Sequence, residues 1–295
     1  MGGVWTLAGA LPIFNKINYR RGCFMKKSFQ RVIATLNLFQ GKQSLTIFLL
    51  AALFALTACD DSSSASDDRQ TKTSSSSSIE SATSCKDCEY GTLTDSRDGQ
   101  TYKTIVIGTQ TWMAENLNFE TEESYCLDDD AVNCSKYGRL YKWAAAMDGA
   151  GTWTSNGKGC GYDVTCSPIY PVRGICPEGW HLPDTTEFKT LFDAVGGAST
   201  GGIALKSTSG WKDNDGSSGN GTDAYAFSVL PAGEANDYGR YDGEGGTARF
   251  WSSTEANKEK AYDIRLLFHK ENVAIDILSP KFYAYSIRCV KDLEN

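Results

Sequence analysis

Histidine is almost missing from these 295 residues: His181 and His269 are the only two. No HExxH or comparable cluster of metal-ligating side chains is present, which argues against zinc chemistry. Acidic residues are missing from the first 58 positions, which hold seven Lys/Arg. The rest carries 22 Lys/Arg against 36 Asp/Glu, a formal charge of −14. A surface of that sign repels phosphate backbones, so nucleic acid is not an expected partner. A long apolar run is missing too. The most apolar stretch, residues 45–56, has twelve residues, short of the roughly 20 that span a bilayer. There is no internal repeat.

What is present at the N-terminus has a different use. Lys26, Lys27, Arg31 and Lys42 precede the apolar run, as in the core of a signal peptide. The run ends in Leu56-Thr57-Ala58-Cys59, which resembles the bacterial lipobox. That resemblance implies cleavage before Cys59, acylation of its thiol and attachment to a membrane by lipid. Residues 1–58 are therefore expected to be a lipoprotein signal peptide, with Met25 a better start than Met1. Residues 60–84 are dominated by Ser, with almost nothing apolar, and read as a flexible tether. The tether is taken as 59–94 and one folded domain as 95–295, with the chain placed in the bacterial envelope, on an outer membrane facing the surface.

Of ten cysteines, Cys23 lies in or before the signal and Cys59 is the lipid site. The others are Cys85, Cys88, Cys126, Cys134, Cys160, Cys166, Cys176 and Cys289, an even set that points to disulfides in an exported domain. Short loops favour Cys126–Cys134 and Cys160–Cys166. Cys85 and Cys88 would close on each other, and Cys176 and Cys289 are left to join distant parts of the chain.

One stretch, residues 179–197, organises the domain. Asp184 offers a capping carboxylate and Glu187 follows three residues later, completing a capping box. Phe188, Leu191, Phe192 and Val195 recur on one helix face, and Gly196-Gly197 supplies the stop. A second helix is expected over 138–147, with Leu140, Trp143, Ala144 and Met147 on its apolar face. Strands are expected over 102–107 and 110–117, at 225–230, and through the alternating C-terminal segment that closes with Tyr285, Ile287 and Cys289. Residues 149–171 read as a stapled loop and 201–247 as a long Gly-, Asp- and Asn-rich region. The sum is an α+β domain: two helices, small antiparallel sheets and long disulfide-stapled loops.

Seven motifs occur in order: Asp98-Gly-Gln-Thr-Tyr102, Gln110-Thr-Trp-Met-Ala-Glu-Asn-Leu117, Tyr137-Gly-Arg-Leu-Tyr141, Cys176-Pro-Glu-Gly-Trp-His-Leu-Pro183, Gly221-Thr-Asp-Ala-Tyr225, Phe250-Trp-Ser-Ser-Thr-Glu255 and Ile287-Arg-Cys-Val290. Together they resemble the Fibrobacter succinogenes major paralogous domain over residues 95–292. That family implies exported bacterial proteins, many of them lipoproteins. The 180–187 and 287–290 segments also resemble the C-type lectin-like fold of formylglycine-generating-enzyme relatives, which implies that fold with its chain ends paired. The oxidase chemistry is not implied, because residues 251–288 contain no Cys.

Gly197-Ala-Ser-Thr-Gly201 has the pattern of a nucleophile elbow but follows a helix instead of a strand, so it reads as a helix exit. His181, between Trp180 and Leu182, reads as a structural histidine. Two loops carry enough oxygen for calcium: Asp128–Asp130 with Asn133, and the set Asp213, Asp215 and Asp223. Trp112, Trp143, Trp180 and Trp251 lie in motifs and are assigned to the core. Trp153, Trp211, Tyr238 and Tyr241 lie in loops and are the aromatic ligand candidates, with Glu234 and Asp237 beside them. The expectation is a non-catalytic binding or adhesion module for carbohydrate, such as cell-wall or plant polysaccharide, acting between Trp211 and Tyr241. The alternative is an exported hydrolase using carboxylates from Glu234, Asp237, Asp242 and Glu244.

Overall fold

The computed structural model describes residues 88–293. The segment read as signal peptide, Cys59, most of the Ser-rich tether and Cys85 lie outside the described residues. No helix among the described residues is long and apolar enough to cross a membrane.

The chain opens with a meander: β1 (Gly91–Thr94), β2 (Thr101–Ile107) and β3 (Gln110–Met113). Both faces of β2 are covered, since successive side chains point to opposite sides: Tyr102 packs into one core, Ile105 and Ile107 into another, and Lys103 and Val106 stay exposed. Next come β4 (Ser124–Tyr125), α1 (Ala131–Tyr137), β5 (Leu140–Lys142), α2 (Trp143–Ala146) and β6 (Trp180–His181). Two adjoining helices follow, α3 (Thr185–Ala194) and α4 (Ala198–Leu205). The remainder is strand: β7 (Asp213–Asn214), β8 (Ser217–Ser218), β9 (Ala232–Ala235), β10 (Tyr241–Glu244), β11 (Thr247–Glu255), β12 (Lys260–Leu267), β13 (Val273–Pro280), β14 (Ala284–Tyr285) and β15 (Val290–Lys291).

These strands make a five-stranded sheet, β1-β2-β3-β15-β6, and an eight-stranded sheet, β13-β12-β11-β9-β14-β5-β4, with β10 hydrogen-bonded to β9. β7 and β8 form a small separate hairpin. The fold is therefore mostly β, and the α+β arrangement expected from the sequence is corrected, as is the two-helix C-type lectin-like one. The residues involved explain why. Leu140 and Tyr141 lie where a helix was expected, but they pair with β4 and β14 as a strand, leaving α2 only four residues. The supposed helix exit at 197–201 instead starts α4, whose Gly201 and Gly202 are buried. Gly202 packs so close to the backbone of β13's entry that a Cβ would sit 2.5 Å from Glu271 O. Residues 225–230 form no strand, although Val229 makes one isolated bridge to Lys206. The closing strand expected through Tyr285, Ile287 and Cys289 is split between β14 in one sheet and β15 in the other.

Helix α3 has the capping box read from the sequence. Asp184 accepts from the amides of Thr186 and Glu187, and Glu187 Oε2 accepts from Asp184 N at 2.9 Å. Phe188, Leu191 and Phe192 are buried in one core with Trp112 of β3 and Phe250 of β11. The Phe188 and Trp112 rings meet tilted by 41°, 5.2 Å between centroids. A second core holds Trp143 and Trp251, both fully buried. Their indole N–H groups donate to the carbonyls of Ser252 and Tyr141, at 2.9 and 2.8 Å. Replacing either tryptophan by Ala would cost about 3–5 kcal/mol.

Disulfides Cys126–Cys134, Cys160–Cys166 and Cys176–Cys289 are formed. Cys88 is disulfide-bonded as well. The long loops are also held by buried lysines. Lys206 Nζ donates to the carbonyls of Gly219 and Lys270 at 2.9 and 3.1 Å. Lys281 Nζ reaches the carbonyls of Gly161, Val164 and Lys258 and the carboxylate of Glu255. Each ammonium gathers oxygens that the loops would otherwise bury unpaired.

Candidate functional site

The sheet order brings segments far apart in sequence to one place. A cleft of about 290 Å³ opens beside β2, at the lower end of the size range of small-ligand sites. Its walls are Gln100, Thr101 and Tyr102 from the entry to β2, then Ala114, Glu115 and Asn116 just after β3. Tyr137 and Gly138 come from the end of α1, and Arg288 from the approach to β15. Four of the seven motifs thus meet in one cleft.

Asn116 is the centre of this convergence. It is 8 % exposed. Its Oδ1 accepts from Arg288 Nε at 2.8 Å. Its Nδ2 donates to Tyr137 O at 2.8 Å and lies 3.3 Å from Ser286 Oγ. Gly138 must be glycine for two reasons. Its φ is +73°, and a Cβ there would sit 2.8 Å from both Asn116 Cβ and Leu117 O. Arg139 N then donates to Leu117 O at 3.0 Å, which closes the wall.

Arg288 forms the floor and is 1 % exposed. Its guanidinium donates to Asn116 Oδ1 and to the carbonyls of Phe227 and Ser228, with no carboxylate among these partners. It stacks over Phe227, 4.4 Å from the ring centroid. Burial pushes its pKa down to about 9, so it stays charged at neutral pH. The Tyr102 hydroxyl, pushed up to about 12 by burial, accepts from Asn118 N at 3.1 Å. Glu115 Oε2 accepts from Lys103 N at 2.7 Å. At the rim, Tyr90 is 41 % exposed and its Oη is 3.5 Å from Ser228 Oγ. Lys103 Nζ lies 5.2 Å from the centroid of the Tyr90 ring, and Lys136 of α1 also lines the cleft.

The residues proposed from sequence are placed elsewhere. Trp211 is 5 % exposed, with its indole N–H shared between Ser207 Oγ and Val229 O. It packs in the core with Val229 and Phe227. Tyr238 is 82 % exposed at the tip of the β9–β10 hairpin, where Asn236 Oδ1 accepts from Tyr238 N and Arg240 N. Asp237 sits exposed in the same turn. Tyr241 donates its hydroxyl to Asp129. Glu234 lies opposite Asp242 across the hairpin, but its carboxylate is committed to Arg249, 2.7 Å from Nε. Glu244 accepts from the Tyr137 hydroxyl at 2.9 Å. These four acids are thus spent on the fold or on open surface, and no cleft collects them.

The calcium sets do not assemble either. Asp213 and Asp215 are exposed on the β7–β8 hairpin, while Asp223 accepts from Ser228 N and Oγ. Asp130 caps α1. Among the described residues no group of three or more His, Cys, Asp or Glu could hold a metal ion. Trp153 remains half-exposed on the 149–171 loop, edge-on to Phe119 at 5.3 Å.

Sequence reasoning passed over Asn116, Lys103, Lys136 and Arg288 as site residues. The available signal was that Arg288 is a charged residue inside the otherwise apolar segment 287–290, and that Asn116 sits beside Leu117 in a motif. A buried Asn or Arg there needs partners, and those partners define a place where segments meet.

No curated protein matches this chain, and no solved structure matches it. A model of the Fibrobacter succinogenes major domain matches residues 105–291. That span takes in β3, β15 and the cleft walls from Ala114 onward, while Tyr90 and residues 100–103 precede it. The chain belongs to the Fibrobacter succinogenes major domain family.

Proposed function

We propose that this protein is a lipid-tethered envelope protein whose domain binds carbohydrate in the cleft beside β2. The observation that carries the reading is the convergence of four motif segments on one cleft lined by amides, hydroxyls and charged groups. Sugars are recognised by that combination of groups, with an aromatic ring for stacking. Tyr90 supplies the ring. Gln100 and Glu115 supply acceptors, and Lys103 and Lys136 supply donors. The anchoring half of the proposal rests on the lipobox-like sequence ending at Cys59 and on the Ser-rich segment after it. A tether there would hold the cleft away from an outer membrane, within reach of cell-wall or plant polysaccharide.

A glycan array probed with the full-length chain in detergent tests the binding half. Bound glycans should lose about tenfold or more in affinity with Tyr90→Ala, from the ~1–3 kcal/mol of a stacking ring. They should bind Tyr238→Ala as strongly as wild type. Equal loss in the two variants, or loss only with Tyr238→Ala, moves the site to the hairpin tip. Intact-mass analysis of membrane-extracted protein tests the anchor. An acylated N-terminal Cys59 agrees, and an unacylated chain retaining residues 1–58 refutes it.

A further inference from the structure

Three cations and one carboxylate line the cleft: Lys103, Lys136 and Arg288 against Glu115. This is a local excess of positive charge in a chain whose net charge is −7. The cations are also sparsely paired. Arg288 is buried with amide and carbonyl oxygens as its partners. The Lys103 backbone N–H donates to Glu115, but its ammonium pairs with no carboxylate among the described residues and lies over the Tyr90 ring. The Lys136 ammonium lies over the Tyr137 ring, 4.3 Å from its centroid, and its carboxylate contact, Glu244, is exposed and long at 3.9 Å; such surface pairs hold a lysine only weakly. A cleft with low-dielectric walls and one sign of charge focuses its field on whatever enters it.

Resting on the glycan reading above, we infer that the cleft takes an acidic sugar, a uronate, whose carboxylate lies between Lys103 and Lys136 with Arg288 beneath. The sugar ring lies on Tyr90, and its hydroxyls reach Glu115 and Gln100. A neutral sugar satisfies the acceptors but leaves Lys103 without an anion and Lys136 with only the long Glu244 contact. A phosphate or sulfate ion satisfies the lysines but offers no ring for Tyr90 and no hydroxyls for Glu115. The shared chemistry is a carboxylate on a pyranose. It could come from a plant polygalacturonate or from a glucuronate-bearing envelope glycan.

The test is calorimetric titration of the full-length chain in detergent with trigalacturonate, a glucuronate-containing trisaccharide, cellotriose and sodium sulfate. Lys103→Gln and Lys136→Gln are measured alongside; both positions are exposed, so the fold is not at stake. The expected result is at least tenfold tighter binding of one acidic trisaccharide than of cellotriose. That preference should shrink as salt is raised from about 0.05 to 0.5 M, and each lysine variant should lower acidic-sugar affinity about tenfold. Whichever acidic trisaccharide binds tighter identifies the source. Cellotriose binding as tightly as both acidic sugars, with no response to Lys103→Gln, overturns the acidic-ligand inference and leaves the glycan reading standing. Sulfate bound through the same lysines, with no trisaccharide bound, overturns the glycan reading itself.

Discussion

His181 lies between two carboxylates, its Nδ1 2.6 Å from Asp292 Oδ1 and its Nε2 2.7 Å from Glu187 Oε1. Burial alone would lower its pKa. Glu187 and Asp292 together outweigh burial, and the value is raised above the ordinary one. A histidine whose folded pKa is raised stabilises the fold fully below its unfolded value, about 6.5, and loses that contribution as pH climbs through the folded value. The melting temperature should therefore fall as pH rises from about 6 to about 9, with a shallower dependence in His181→Gln. A wild-type melting temperature as flat as the variant's would show that His181 carries no proton into the folded state. Glu187 also completes the capping box of α3, so one side chain fixes both the helix start and the histidine. The sequence reading of His181 as structural followed from its apolar neighbours, Trp180 and Leu182. Its carboxylate at residue 292 was not visible, because the pair spans 111 positions.

Among elements, those with strong local signals were readable. Helix α3 had its cap, its apolar face and its glycine stop in one window. Strand β2 had a β-branched run and β12 had alternation, although Asp263 of β12 is buried, with Arg249 reaching it at 3.2 Å. The short strands β4, β5, β7, β8, β14 and β15 have two or three residues each, too few for any period to show. Apart from the local β7–β8 hairpin, they exist because distant partners complete their ladders. The Gly-rich stretch before β11 concealed the β9–β10 hairpin in the same way: Gly233 has φ +71° and approaches Asp242 O so closely that no side chain fits.

The disulfide Cys176–Cys289 is the covalent counterpart of such long-range pairing, joining residues 113 apart. It ties the segment before β6 to the residue before β15, beside it in the five-stranded sheet. Removing it by a Cys176→Ala, Cys289→Ala double change should cost about 4–5 kcal/mol in the chain-entropy account. Urea unfolding of the oxidised chain and of the double variant measures this. A difference below about 1 kcal/mol would mean that the surrounding core fixes the two segments without the bond.

At the scale of the whole molecule, composition and order set what could be read and what could not. Charge and the Ser-rich segment follow from counting. The mostly β architecture does not, because half of its strands are too short to announce themselves. The site was hidden for a related reason. Exposed aromatics in long loops looked functional, yet Trp211 is core. The motif segments looked structural, yet 100–102, 114–116, 137–138 and Arg288 enclose the cleft. Their joint meaning lies in the crossing from β3 to β15, which no local window contains. The central claim is that ligand binds where these segments meet. Hydrogen–deuterium exchange of the full-length chain, with and without a glycan found on the array, tests it most directly. The account predicts protection of peptides covering 100–118 and 134–138, with the 149–171 loop and the 236–240 turn unchanged. Protection confined to that loop or that turn, with the cleft peptides unchanged, would contradict it.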